Sequence, residues 1–151
     1  MLANYYPSLL VIHNVLRWFV LLAGTAAIVG CLIGIARKLS FAPLGRIVGL
    51  IYVSFLDSQF LIGVLLYLCS PIIHTMWAHP AVGMKNHDLR FFAIEHTTYM
   101  IIALALAHIG AAKSRKATHA TNAYKTALIW YIASFVLILA GIPWWRPLLR
   151  L

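Results

Sequence analysis

The chain is 151 residues long, 63% hydrophobic and only 10% charged, with twelve basic residues against three acidic ones for a net charge of +9. A soluble domain carries about 25% charged residues because something must face water, so the composition excludes a soluble fold, and the same hydrophobicity excludes disorder. The basic residues form short clusters between long apolar runs rather than the stripes of a nucleic-acid-binding surface; the partner that composition implies is membrane lipid.

A bilayer is crossed by about 20 apolar residues of helix, and four runs reach that length. The first is predicted over 9–36 and comes after Met-Leu-Ala-Asn-Tyr-Tyr-Pro. That leader holds no Lys or Arg, so it lacks the positive n-region of a signal peptide and the span is expected to stay in place. The first run carries His13, Asn14 and Arg17, and near its end a Gly30–Gly34 pair suited to close helix packing. The second, over 46–70, carries Asp57 and Gln59. His74, His79 and His87 come next, in a connection where their irregular spacing matches no metal site, and a solvated loop is expected. The third run, over 91–112, carries Glu95, His96 and His108; the fourth, over 124–142, has no ionisable residue beyond Tyr124–Lys125. Short connections make neighbouring helices antiparallel. The expected fold is therefore all-α: one integral membrane up-down-up-down four-helix bundle filling residues 1–151 as a single domain.

Arg37, Lys38, Arg46, Lys113, Arg115, Lys116 and Lys125 fall on one side, and Lys85, Arg90, Arg146 and Arg150 on the other. Basic loops stay in the cytoplasm, so both termini are expected outside. Tyr5, Tyr6, Trp77, Trp144 and Trp145 then lie at the outer boundary, where amphipathic rings prefer to sit. Cys31 and Cys69 are predicted near opposite faces, too far apart for a disulfide. No C-x-x-C-H occurs, which excludes covalent c-type haem.

Polar residues inside spans are costly and point to function. Counting 1.5 Å per residue, His13 and His96 both lie about 8–9 Å below the outer edge, on two helices that run in the same direction. Val20, Gly24, Ala27 and Cys31 share the face of His13, and Met100, Ala103, Ala107 and Gly110 that of His96. Small side chains beneath each histidine are expected to leave room for a flat macrocycle. The object that two imidazoles at one depth would hold is b-type haem, with His13 and His96 as axial ligands. Arg17 and Arg90 are candidate propionate partners, and Arg17 has Asp57 and Glu95 as competing partners. His108 lies about 18 Å deeper than His96, without a histidine partner on another span. One haem per chain is therefore expected rather than two, with His108 as the alternative ligand.

The segments Ile12-His13-Asn14-Val15-Leu16-Arg17-Trp18, Gln59–Tyr67, Leu89-Arg90-Phe91-Phe92-Ala93-Ile94-Glu95-His96 and Ile142-Pro143-Trp144 resemble a family of small four-span bacterial proteins labelled cytochrome b or cytochrome b-like. The resemblance covers almost the whole chain. It implies a four-helix haem protein of the bacterial inner membrane, with His13, Arg17, Gln59, Arg90, Glu95 and His96 as its polar signature.

Three functions stand as expectations. The first is an electron-transfer cytochrome exchanging electrons with a quinone or a partner redox protein. The second is a proton- or ion-translocating subunit using Asp57, Arg17, Glu95 and the histidines. The third is an accessory subunit of a larger complex, or a homo-oligomer, in which the polar cluster serves assembly.

Overall fold

A computed structural model describes residues 5–147; Arg150 and the first four residues of the leader lie outside them. Among the described residues the chain is mostly helical, without strands. The long helices are α1 (Tyr6–Ala36), α2 (Leu44–Cys69), α6 (His96–Lys116) and α7 (Ala120–Ala140). Between α2 and α6 lie three short helices, α3 (Pro71–Ala78), α4 (Pro80–Gly83) and α5 (His87–Arg90), and a π-helical turn, Phe91–Glu95. Four helical stretches, Tyr6–Ala36, Leu44–Cys69, His87–Lys116 and Ala120–Ala140, are long and apolar enough to cross a membrane. The protein is a multi-pass four-helix membrane bundle.

The expected spans all exist, but their edges differ. α1 begins at Tyr6, since Pro7 in the first turn forgoes an N–H that would have no partner there. α7 begins at Ala120, so Lys125 sits inside the helix and the expected start at Tyr124 is late. The second connection is folded rather than an open solvated loop. α3 seats Ile73 and Met76 against Ala93. α1 ends at a left-handed residue, Lys38 with φ 51°. Leu39 N–H donates to the Gly34 carbonyl (3.0 Å) and Lys38 N–H to that of Ile35 (3.3 Å), so the last carbonyls of α1 are satisfied.

In the bundle α1 packs on α2 and α7, and α6 on α7 and α2, which leaves α1 and α6 facing each other across the diagonal. The half remote from the chain termini is filled by rings. Tyr52 of α2 meets Tyr131 of α7 edge-on at 5.4 Å, and Phe41 meets Tyr124 at 4.9 Å. Tyr52 Oη lies 2.9 Å from Ser134 Oγ, which donates to the Ala103 carbonyl at 2.8 Å. These rings enter where α1 and α6 are small: a Cβ on Gly24 would stand 2.7 Å from the Phe135 ring, and one on Gly110 2.6 Å from Trp130 Cβ.

This overturns one expectation. The small residues beneath His13 and His96 leave no room for a macrocycle, because α2 and α7 fill that space with aromatics. Gly34 does serve close packing, but against the Tyr124 ring rather than a second helix backbone; Gly30 has nothing nearer than Val48, 3.9 Å from a built Cβ. Cys31 and Cys69 are both free, as expected, and both are buried.

Candidate functional site

His13 stands two turns into α1, and His96 opens α6 directly after the π-helical turn. A π-turn admits one extra residue and rephases the helix beyond it. It also aligns residues five apart: Arg90 Nε donates to Glu95 Oε1 at 2.7 Å, and Thr97 Oγ1 to the Phe92 carbonyl at 3.2 Å. The two imidazoles meet across the diagonal of the bundle with ring centroids 6.3 Å apart and planes inclined by 67°. Equal depth on two same-direction helices, read from the sequence, thus corresponds to real convergence.

Each histidine is held by a different device. His96 Nδ1 lies 2.7 Å from the Gly141 carbonyl. A carbonyl only accepts, so Nδ1 carries the proton, and in a neutral ring Nε2 would be the nitrogen available as a ligand. Gly141 caps α7, where the last carbonyls have no intrahelical donor; the helix end supplies the acceptor. His13 is held through its backbone, whose carbonyl accepts from Gln59 Nε2 at 3.0 Å. Across from its ring stands Gly63 of α2, where an added Cβ would lie 3.4 Å from His13 Cε1.

Two cavities, of about 180 and 190 Å³, flank the pair and share His13, Leu56, Gln59, Gly63, Tyr67, His96, Thr97 and Met100. The first runs toward the end of the bundle that carries the termini, between Tyr6, Arg17, Ile138, Ile142 and Arg146. The second is lined by Phe60, Val64, Leu68 and Ile101 in the α2–α6 gap. Among the described residues, the buried side-chain N and O atoms without a hydrogen-bond partner are His13 Nδ1 and Gln59 Oε1, both on residues of the shared wall.

The charged residues divide. Arg17, expected to pair with Asp57 or Glu95, pairs with neither: Asp57 Oδ1 meets His108 Nε2 at 2.8 Å, and Glu95 meets Arg90 at 2.7 Å. Depth counted along the helices ignored azimuth, which turns Asp57 toward α6. Arg17 instead is buried, lines the first cavity, and places its guanidinium carbon 5.7 Å from the Trp18 ring centroid. Arg90, the second expected propionate partner, is held by Glu95 and donates to the Met84 carbonyl at 3.0 Å; it lines neither cavity. The cation at that position is Arg146, which sequence reading used only for topology. It bonds Asp88 and stacks 4.6 Å over Phe92. His108 is thus a partner of Asp57, and not near His13 or His96. His74, His79 and His87 share no site: among the described residues no three His, Cys, Asp or Glu side chains are grouped to hold a metal ion.

Two imidazoles facing mostly apolar cavities are a donor set that would suit a haem. An imidazole nitrogen bound to a metal at about 2.0–2.1 Å sets the ring centroid about 3.2 Å from that metal. The 6.3 Å between the His13 and His96 ring centroids would leave room for one metal between them. The cavity walls are mostly apolar, and Arg17 and Arg146 both line the first cavity. Gly141, Gly63 and Arg146 escaped the sequence reading. The signal for Gly141 was a glycine at a helix end, at the depth of the two histidines. Comparison with family models, curated proteins and solved structures found no match.

Proposed function

We propose that this chain is a b-type haem protein of the bacterial inner membrane, akin to the small cytochrome b-like proteins it resembles. It exchanges electrons with a quinone or with a partner redox protein. The observation that supports this reading best is the 6.3 Å His13–His96 pair, with cavities on both sides of it. His13 and His96 would hold the haem, which would supply one-electron transfer.

The chain's own residues do the rest. The Gly141 carbonyl fixes the tautomer and orientation of His96 and raises the basicity of its free nitrogen. Arg17 and Arg146 both line the first cavity and bring positive charge to its wall, Arg17 below the level of His13 and Arg146 at the mouth beside Asp88. The second cavity gives the α2–α6 gap an apolar edge, the side from which a lipid-soluble partner approaches. The basic-residue asymmetry supports an orientation with both termini, and with them the level of His13 and His96, outside.

The test is an absorbance spectrum with a pyridine haemochrome count. One low-spin haem per chain is expected, lost in His13→Ala and in His96→Ala and retained in His108→Ala. A colourless preparation, or a spectrum lost only in His108→Ala, refutes the proposal.

A further inference from the structure

The acidic residues of the chain are Asp57, Asp88 and Glu95. Asp57 is spent on His108 midway along α2. Asp88 and Glu95 stand at the end of the bundle that carries the termini, and there they neutralise cations: Glu95 meets Arg90 at 2.7 Å, and Asp88 takes Arg146. Among the described residues that leaves Lys85 as the exposed cation of that end.

The opposite end is built differently. Arg37 and Lys38 follow α1, and Arg46 lies in the first turn of α2. Lys113, Arg115 and Lys116 close α6, and Lys125 lies in the second turn of α7. All seven are exposed, and the sequence places no carboxylate at that end to pair with them. Lys113 rests its ammonium 5.0 Å from the Trp130 ring centroid, which leaves the charge in place. The two connections form one surface: Tyr124 Oη, beside Lys125, donates to the Ser40 carbonyl at 3.0 Å, and its ring meets Phe41 at 4.9 Å. Crowded like charges repel one another unless anions gather around them.

Which anions gather is decided by the side chains between the cations. Leu39, Leu44 and Ile47 are 38%, 58% and 49% exposed, so the same surface is cationic and apolar. A nucleic acid would meet only the charges. The boundary between headgroups and acyl chains takes both, with Lys and Arg stems lying along hydrocarbon while their charges reach phosphate. We propose that the end of the bundle formed by residues 37–46 and 113–125 binds anionic phospholipids, gathering them from the leaflet in preference to zwitterionic ones. The proposal does not depend on haem binding.

The test uses the full chain in vesicles whose two leaflets have the same composition, so that its orientation does not enter. Electron paramagnetic resonance of spin-labelled phosphatidylglycerol and phosphatidylcholine measures the preference of the protein-bound lipid. Phosphatidylglycerol should be favoured about fivefold at low salt, the equivalent of one cation per exchanged lipid. The preference should fall to about unity in ~1 M salt, where charges are screened within about 3 Å. It should also be lost when Arg37, Lys38, Arg115 and Lys116 are all replaced by Gln, and kept in Lys85→Gln. Those four side chains are exposed and unpaired, so circular dichroism should show unchanged helix content. Equal affinity for both lipids, a preference that survives salt, or one retained by the fourfold variant overturns the proposal. So does a labelled RNA oligomer that abolishes the preference in stoichiometric amount, which would assign the surface to nucleic acid.

Discussion

Gly24 and Gly30 lie six residues apart on one helix, and the same substitution at each should have opposite consequences. Replacing a mid-helix glycine by alanine gains about 0.5–1 kcal/mol in backbone entropy at either position. At Gly30 nothing opposes that gain, since the nearest atom to a new Cβ is Val48 Cγ1 at 3.9 Å. At Gly24 the new Cβ would stand 2.7 and 2.8 Å from the Phe135 ring and 3.0 Å from that of Tyr52. Neither ring is the loose end of a flexible chain. Tyr52 is fully buried and bonded to Ser134, so the strain is that of an overpacked core, about 1–3 kcal/mol. Gly30→Ala should therefore stabilise by up to about 1 kcal/mol, and Gly24→Ala should be about 1–3 kcal/mol less stable than Gly30→Ala. Equilibrium unfolding in mixed micelles, monitored by circular dichroism, measures the difference. On the proposed haem reading the spectrum of Gly24→Ala should match that of the parent, because the rings of Phe135 and Tyr52 fill the space at Gly24. Equal stabilities, or a shifted spectrum with unchanged stability, would refute this account of the packing.

At the site itself Gly63→Val should distort the low-spin spectrum, since methyls beyond a Cβ already 3.4 Å from His13 Cε1 push on that ring; an unperturbed spectrum would remove Gly63 from the site. Asp57→Asn and His108→Gln should be non-additive by about 0.5–2 kcal/mol in a double-mutant cycle. Asp57→Asn and Arg17→Leu should be additive, so Asp57→Asn should not rescue Arg17→Leu. Cysteines placed in 113–120 should react only from the cytoplasmic side and those in 78–87 only from outside; the reverse labelling would move the haem level to the cytoplasmic face.

Whatever depends on distance along a helix was legible in the sequence. The rise per residue is constant, so the shared level of His13 and His96 could be counted, and so could the separation of Cys31 from Cys69. Hidden from it was whatever depends on rotation about the helix axis and on backbone that departs from α. Arg90 and Glu95 are five apart, which an α-helix places about 140° from each other, and only the π-turn at Phe91–Glu95 brings them together. The Asp57–His108 pair needed azimuth as well as depth. The space beneath the histidines was misjudged for a third reason. Small residues on α1 and α6 were visible in the sequence, but which helix would fill them was decided by Tyr52 and Tyr131 on the two helices between.

The hollow around the histidines arises from unequal helices. α1 has 31 residues and α7 only 21. The two pair at the end remote from the termini, where Tyr124 of α7 packs on Gly34 of α1. α7 therefore runs out at Ala140, near the level of His96, instead of continuing beside α1. Beyond that level no α7 side chain enters the core, and α2 offers Gly63 and the short reach of Gln59 where it offers Tyr52 further along. The same early ending leaves the Gly141 carbonyl without a helical donor, and His96 takes it. The chain then turns through Ile142, Pro143 and Arg146 along the rim of the first cavity. One structural fact, the short last helix, thus accounts for the space, for the acceptor that orients one imidazole, and for the cation at the mouth.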